Sequence, residues 1–242
     1  DRNFVYKIRN DNQPFVFFTL QTEPERSLLI ASPFYTNQLE TIRHVAKSIP
    51  INYNLYVKEH PNQGPLRGWR KISIYKEIMN IPNVTLIHPS VSNQELMEKC
   101  SLVVSAGTTS FEAGFYEKPA ILCADLGYDI LPHIFRINSL EEFPATIKLA
   151  LQQKVDPTYV DKYLTLIEQN SFEFDYLDFI LSYQNWFYYG GNLVDVEIQI
   201  SKMIEFLNQN KDILEKLAME HIKKMRWFKE HRLNKEQRIN NN

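Results

Sequence analysis

Apolar residues in the first half of the chain fall into two alternating patterns, short continuous runs and longer stretches at helical spacing. Residues 1–13 are polar and show no period, and they read as a linker. Phe15-Val16-Phe17-Phe18 is the first continuous run, of the kind that strands buried on both faces show. After a loop through Gln21 to Glu25, the residues Leu39, Ile42, Val45, Ala46 and Ile49 share one helical stripe, and Pro50 ends it. Leu55-Tyr56-Val57 predicts a second strand, a helix follows over about 72–81, and Val84 to Ile87 predicts a third strand. Ser92 and Glu95 have capping-box spacing, which opens a short helix to about Lys99 ahead of a fourth strand at Leu102-Val103-Val104. A turn at Gly107 leads into a helix through Phe111 and Ala113, closed near Lys118-Pro119, and Ala120 to Cys123 predicts a fifth strand. This alternation predicts an α/β fold over residues 14–152, a Rossmann-like parallel sheet with helices on both faces.

From Ser139 the pattern changes. Ser139 and Glu142 repeat the capping-box spacing, and the sequence to Arg238 reads as helices interrupted at Pro157, Asn170 and Gly190-Gly191, with no further strand. Residues 153–242 are therefore expected to form an all-helical C-terminal extension. Nine aromatics crowd into residues 172–189: Phe172, Phe174, Tyr176, Phe179, Tyr183, Trp186, Phe187, Tyr188 and Tyr189. They either pack the helices onto the sheet or onto another domain, or form a stacking platform for sugars. In the last helix Leu214, Leu217, His221, Met225 and Phe228 share a stripe sufficient for docking or dimerising.

Composition narrows the classes. The chain has 242 residues, 44% hydrophobic and 23% charged, which excludes a wholly disordered or fibrous protein. Net charge is −2, unevenly spread as +1 over residues 1–138, −7 over 139–199 and +4 over 200–242, a balance that disfavours a broad nucleic-acid surface. Cys100 and Cys123 sit in apolar stretches without CxxC spacing, so no disulfide framework or zinc site is indicated and a reducing, cytoplasmic setting is expected. No apolar run approaches the ~20 residues that span a bilayer. Peripheral association with a membrane stays open. The chain starts at Asp1 rather than Met and is expected to be part of something longer. Only 7 glycines leave little room for Gly-rich phosphate loops, so an anion site would rely on helix starts and side chains.

Open parallel sheets bind ligands at the carboxyl ends of their strands, which directs attention to Gln21 to Glu25, Lys58 to Pro61, His88-Pro89, Ser105 to Ser110 and Asp125. Ser105-Ala106-Gly107-Thr108-Thr109-Ser110 runs from a strand end into a helix start, where free N–H groups and hydroxyls suit an anion. Thr108 or Thr109 equally suits the plain role of helix cap, and Glu112 suits either a ribose diol or a solvated first turn. Lys58-Glu59-His60-Pro61 offers a phosphate an ammonium and an imidazole, with Arg67 and Arg70 on the next loop, or else it is a satisfied histidine beside a turn. His88-Pro89, with no charged neighbour in sequence, reads as structural. A GxSxG elbow, a Walker motif, GxGxxG and HExxH are all missing, which disfavours hydrolase triads and protein-bound catalytic metals. Glu23, Glu25 and Asp125 leave a small opening for a divalent ion.

Taken in order, Phe17-Phe18 with Leu20-Gln21 and Glu23-Pro24-Glu25, then Gln38-Leu39-Glu40, Tyr56-Val57-Lys58-Glu59-His60-Pro61, Pro82-Asn83-Val84, Ser105 to Ala113 and Lys118-Pro119, this set resembles the capsular polysaccharide biosynthesis family over about residues 13–150. That family looks like GT-B glycosyltransferases and includes capsule Kdo transferases. The His-Pro step is similar to one in bacterial sialyltransferases and CDP-glycerol-using polymerases, where it contacts the cytidine nucleotide's phosphate. The resemblance implies a donor-binding half that holds a nucleotide sugar, a CMP-linked one, through Lys58, His60, Ser105, Thr108, Thr109 and Glu112. Gln21, Glu23, Glu25, Arg67 and Asp125 are further candidates. It implies no cofactor beyond that substrate, a saccharide acceptor, and an acceptor domain N-terminal to this chain or in a partner chain. It leaves the catalytic base or nucleophile unassigned. A sugar-nucleotide epimerase and a non-catalytic nucleotide-sugar-binding or partner-docking domain are the alternatives.

Overall fold

The structure is a computed structural model that describes residues 4–7, 13–188 and 196–240. Most of the expected linker, Tyr189 and the Gly190-Gly191 break lie outside the described residues. Six strands, β1 (Phe15–Thr19), β2 (Asn54–Lys58), β3 (Val84–Ile87), β4 (Leu102–Ser105), β5 (Ala120–Leu122) and β6 (Ile134–Arg136), form one parallel sheet in the order β3-β2-β1-β4-β5-β6. The chain builds outward from β1 to β2 and β3, then returns to add β4, β5 and β6 on the other side. Connections therefore leave β1 and β4 in opposite directions, and a crevice opens at their carboxyl ends.

The apolar runs are explained by burial on both faces. Val16, Phe18, Leu55, Val57, Val104 and Ile121 pack on one side under α2 (Gln38–Ser48), α3 (Ile72–Met79) and α6 (Phe143–Ala150), whose Ile42, Val45, Ile78, Phe143 and Ile147 point into the same core. Phe15, Phe17, Tyr56, Val103 and Ala120 face the other way, against Leu96 and Met97 of α4 (Asn93–Lys99). Between them α1 (Arg26–Leu29) and α5 (Thr109–Glu112) are single turns at the carboxyl edge. Asn37 and Ser92 cap α2 and α4 by accepting the N–H groups of Glu40 at 3.3 Å and Glu95 at 3.5 Å. The Ser139 box forms only by its acid half, and there one residue early: Glu142 accepts the N–H of Asn138 at 3.3 Å.

Two features go beyond the sequence reading. β6 adds a sixth strand, and Val5 bridges to the open edge of β3, its N–H donating to Leu86 at 2.9 Å and its carbonyl accepting from His88 at 3.0 Å. His88 packs against this segment, stacked on Tyr6 with ring centroids 4.2 Å apart and edge-on to Phe4 at 5.4 Å.

The chain divides into two compact units, Asp1–Leu166 and Ile167–Asn242. The division falls inside α7 (Thr158–Gln169): Val160 is fully buried and the Tyr163 ring lies 5.7 Å from Phe111, so the sheet unit holds most of that helix, through Leu166. The second unit contains α8 (Tyr176–Phe187), α9 (Ile200–Gln209) and α10 (Lys211–Asn240). Its aromatics pack on one another: Phe187, Trp186, Phe179 and Tyr183 surround the buried Phe206 with centroids 5.0–6.1 Å away. Among the described residues no helix is long and apolar enough to cross a membrane.

Candidate functional site

The crevice between β1 and β4 holds a cleft of about 240 Å³ lined by Gln21, Lys58, His60, Thr108, Thr109 and Glu112, together with Thr19, Asn62 and Asn93. Five of the six leading candidates thus converge from the ends of two strands, β2 and β4, about fifty residues apart in sequence, and Gln21 joins them from the end of β1. Ser105, the sixth, is fully buried beneath the cleft. Its Oγ accepts from Thr19 Oγ1 at 2.7 Å, from the Gly107 N–H at 3.0 Å and from Gln21 Nε2 at 3.4 Å, so it ties the ends of β1 and β4 together rather than facing a ligand. Gly107 packs close to the Gln21 amide: a Cβ on it would fall 2.7 Å from Gln21 Oε1, so a larger residue would displace that side chain.

Lys58 ends β2 only 5% exposed, its ammonium donating to Asn93 Oδ1. No carboxylate among the described residues pairs with it. Burial pushes its pKa down from 10.5 to about 8, so it remains largely protonated at neutral pH while lacking a counterion. His60 follows in a tight turn where Nδ1 accepts the Asn62 N–H at 3.1 Å. A fixed N–H donor at Nδ1 places the neutral ring's own proton on Nε2, leaving one donor for a ligand. Burial lowers the His60 pKa below the ordinary histidine value, and the charges of Lys58 and Arg70 act in the same direction, against Glu25 and Glu59.

Thr108 and Thr109 do not cap through their side chains. The Thr108 hydroxyl donates to Glu112 at 3.2 Å, and Ser110 instead donates to the Gly107 carbonyl at 2.8 Å. Glu112 thus stands in the cleft as an acceptor held by one hydroxyl.

A buried ionic cluster holds this edge together. Glu59 is 0% exposed, and its carboxylate accepts from Arg70 Nε at 2.8 Å, Arg70 Nη2 at 3.3 Å, Tyr75 at 2.7 Å and the His60 N–H at 2.7 Å. Arg70 also pairs with Glu23 at 2.7 Å and donates to the Gln21 carbonyl, while Gln38 accepts the Gln21 N–H at 2.7 Å and donates back to its carbonyl at 3.1 Å. The loops after β1 and β2 are thereby locked to each other, through contacts that side-chain type alone does not announce.

The remaining candidates lie elsewhere. Glu23 is engaged by Arg70, Glu25 accepts from the Thr22 hydroxyl at 2.7 Å, and Arg67 is exposed at the end of the turn Gln63–Arg67, outside the cleft. It is Arg70, not Arg67, that reaches inward, because the chain reverses at Gly68, where φ is +79°. Asp125 pairs with Arg136 at 3.1 Å in a separate cleft. Asn93 and Thr19 were missed. Asn93 lies six residues beyond β3, at the first position of α4, where a neutral amide after a capping serine carries no signal of a site.

A sequence model of the capsule polysaccharide biosynthesis protein family matches residues 3–131, just over half of the chain. No curated protein matches. Among solved structures, the UDP-GlcNAc 2-epimerase of Methanocaldococcus jannaschii, in complex with UDP-GlcNAc and UDP, is 13% identical with a TM-score of 0.44, covering 64% of this chain and 45% of its own. The beta Kdo 2,7 transferase KpsC of Thermosulfurimonas dismutans is 16% identical with a TM-score of 0.44, covering 64% and 46%. The UDP-GlcNAc 2-epimerase of Neisseria meningitidis, bound to UDP-GlcNAc, is 16% identical with a TM-score of 0.45, covering 67% and 46%. The chain therefore spans a little under half the length of these structures.

Proposed function

The chain belongs to the capsule polysaccharide biosynthesis protein family, and from that premise we propose that its sheet unit binds the nucleotide-sugar donor of a glycosyl transfer in surface polysaccharide synthesis. The donor is a CMP-linked sugar and the acceptor a saccharide, presented by a further domain or a partner chain in the cytoplasm. The observation that carries this reading is the uncompensated ammonium of Lys58 in a cleft shared with His60, Thr108 and Thr109. A buried cation without a carboxylate calls for an anionic ligand, and a phosphate supplies it. At about 240 Å³ the cleft is smaller than the roughly 300–1,000 Å³ of whole small-molecule sites, which suits the phosphate and ribose end of the donor. The cytidine assignment rests on the likeness of the His60-Pro61 step to those of cytidine-nucleotide enzymes.

In the transfer, the anomeric carbon exchanges its bond to the phosphate oxygen for one to the acceptor's hydroxyl oxygen, and that hydroxyl's proton passes to a base outside the donor-site residues. Negative charge grows on the leaving nucleotide. In this reading the Lys58 ammonium and the His60 Nε2–H meet it, and donors already oriented by Asn93 and Asn62 need little rearrangement as it develops. Glu112 accepts from a ribose hydroxyl. Replacing Glu112 with glutamine is then expected to weaken nucleotide binding by about 1.5–3 kcal/mol with folding intact. Equal affinities at matched stability would return Glu112 to the role of a solvated acid.

His60→Ala gives a sharper separation. A ligand-facing imidazole predicts a loss of about 1.5–3 kcal/mol in nucleotide affinity with little change in stability. A packing histidine predicts the reverse order, and urea denaturation with nucleotide titration of the same variant decides. The proposal as a whole is tested by thermal shift with cytidine, uridine, guanosine and thymidine nucleotides. A bound ligand at about 100 times its dissociation constant adds roughly 2.7 kcal/mol, so the cytidine series should shift the transition most. Silence from all four would end the donor-site reading.

A further inference from the structure

Beyond the ends of β5 and β6, at the same edge of the sheet, a second cleft of about 250 Å³ opens between the segment Ile30–Tyr35 and residues 123–125 and 136–138. The proposed nucleotide site makes no use of it. Two of its lining residues carry buried hydroxyls, Ser32 Oγ and Tyr35 Oη, that find no hydrogen-bond partner among the described residues; Ser32 is 1% and Tyr35 4% exposed. Buried hydroxyls are nearly always paired, so two in one cleft need an explanation.

The charges around them indicate what kind of ligand fits. Arg136 already bonds Asp125 at 3.1 Å and Asp129 at 3.3 Å, which leaves no surplus positive charge for a phosphate or carboxylate and favours a neutral molecule. Asp125, Arg136 and Asn138 contribute an acceptor, a donor fork and an amide to its lining, and Phe34, 77% exposed, contributes a flat apolar face. Buried hydroxyls, planar polar groups and an aromatic ring around one cleft match a sugar ring, whose hydroxyls both donate and accept and whose C–H face stacks on aromatics. The volume equals about eight waters at about 30 Å³ each, room for one such ring and too little for a nucleotide sugar.

We propose that this cleft is a saccharide subsite that takes one neutral pyranose ring. Ser32 and Tyr35 supply its buried hydrogen bonds, with a local adjustment of the Ile30–Tyr35 segment as the ring enters. The subsite stands whether or not the first cleft binds a nucleotide. An alternative partner for Tyr35 exists in principle, since a void of about 10 Å³ touches it together with Cys123, Thr19 and Gln21, at the lower limit of space for one water.

The test is saturation-transfer NMR on the whole chain with millimolar glucose, galactose and N-acetylglucosamine, and with glucuronate as the anionic arm. At least one neutral sugar should bind in preference to glucuronate, and Ser32→Ala and Phe34→Ala should each weaken it about tenfold. Tyr35→Phe should weaken it while leaving the melting temperature unchanged or higher, because the unliganded protein loses an orphan rather than a bond. A nucleotide sugar whose gain over the bare nucleotide disappears in Ser32→Ala makes the ring the donor's, whereas free saccharide that binds alongside nucleotide makes it the acceptor's. Either result supports the subsite. No sugar signal from folded protein, a preference for glucuronate, or undiminished binding by Ser32→Ala and Phe34→Ala would overturn it. So would Tyr35→Phe lowering the melting temperature with sugar binding unchanged, the mark of a buried water. Nucleotide titration of the same samples reports on the first cleft separately, so the failure of one proposal is distinguishable from the failure of the other.

Discussion

Replacing Arg70 with alanine is expected to destabilise the sheet unit by about 3–5 kcal/mol, the usual cost of removing one partner from a buried ion pair. Glu59 would be left inside with Tyr75 and the His60 N–H as donors but without a cation, and the Gln21 carbonyl would lose a donor as well. The loss should come from the stranded carboxylate rather than from missing attraction. Adding Glu59→Gln to the Arg70→Ala background should therefore recover a large part of it, whereas two independent losses would add. Urea denaturation of the wild type, both single variants and the double variant closes this cycle. If Arg70→Ala costs less than about 1 kcal/mol, the cluster is not what joins the loops after β1 and β2.

Lys58→Met should weaken nucleotide binding by about 2–5 kcal/mol, roughly thirtyfold or more, because the phosphate would enter a desolvated cleft with no cation to meet it. The pH dependence has two opposite signs. Burial holds the folded-state pKa of Lys58 at about 8, below the ordinary 10.5, so between those values the unfolded chain binds more protons and stability rises with pH. Nucleotide affinity goes the other way, falling as pH climbs through about 8 and the ammonium is lost. Both trends should vanish in Lys58→Met. Affinity that stays flat from pH 7 to 9.5 would remove Lys58 from the site.

The strands from Phe15 to Cys123 were legible because burial on both faces removes polar positions, leaving continuous apolar runs that only a short strand or a buried helix can explain. β6 was not, since Ile134-Phe135-Arg136 contains two apolar residues and ends in an exposed charge, too little pattern to distinguish from a loop. Val5 pairs through its backbone to an open edge, which leaves no mark in side-chain periodicity. In the site, Lys58, His60, Thr108, Thr109 and Glu112 followed from the rule that ligands gather at strand ends. Whether a polar residue at a strand end faces the cleft or the interior is decided by its neighbours in space. Ser105 turned inward because Thr19 and Gln21 supply partners there, and Glu59 because Arg70 and Tyr75 do. Such pairings join residues 11 to 86 positions apart, a separation at which local patterns carry no signal.

The central claim, that the β1/β4 crevice binds a nucleotide phosphate through Lys58, is tested most directly by calorimetric titration of CMP into the chain and into its Lys58→Met variant at pH 7. The account predicts saturable binding to the first and a loss of roughly thirtyfold or more in the second, with both proteins equally folded. Absence of binding to the folded chain, or the same affinity in both, would contradict it.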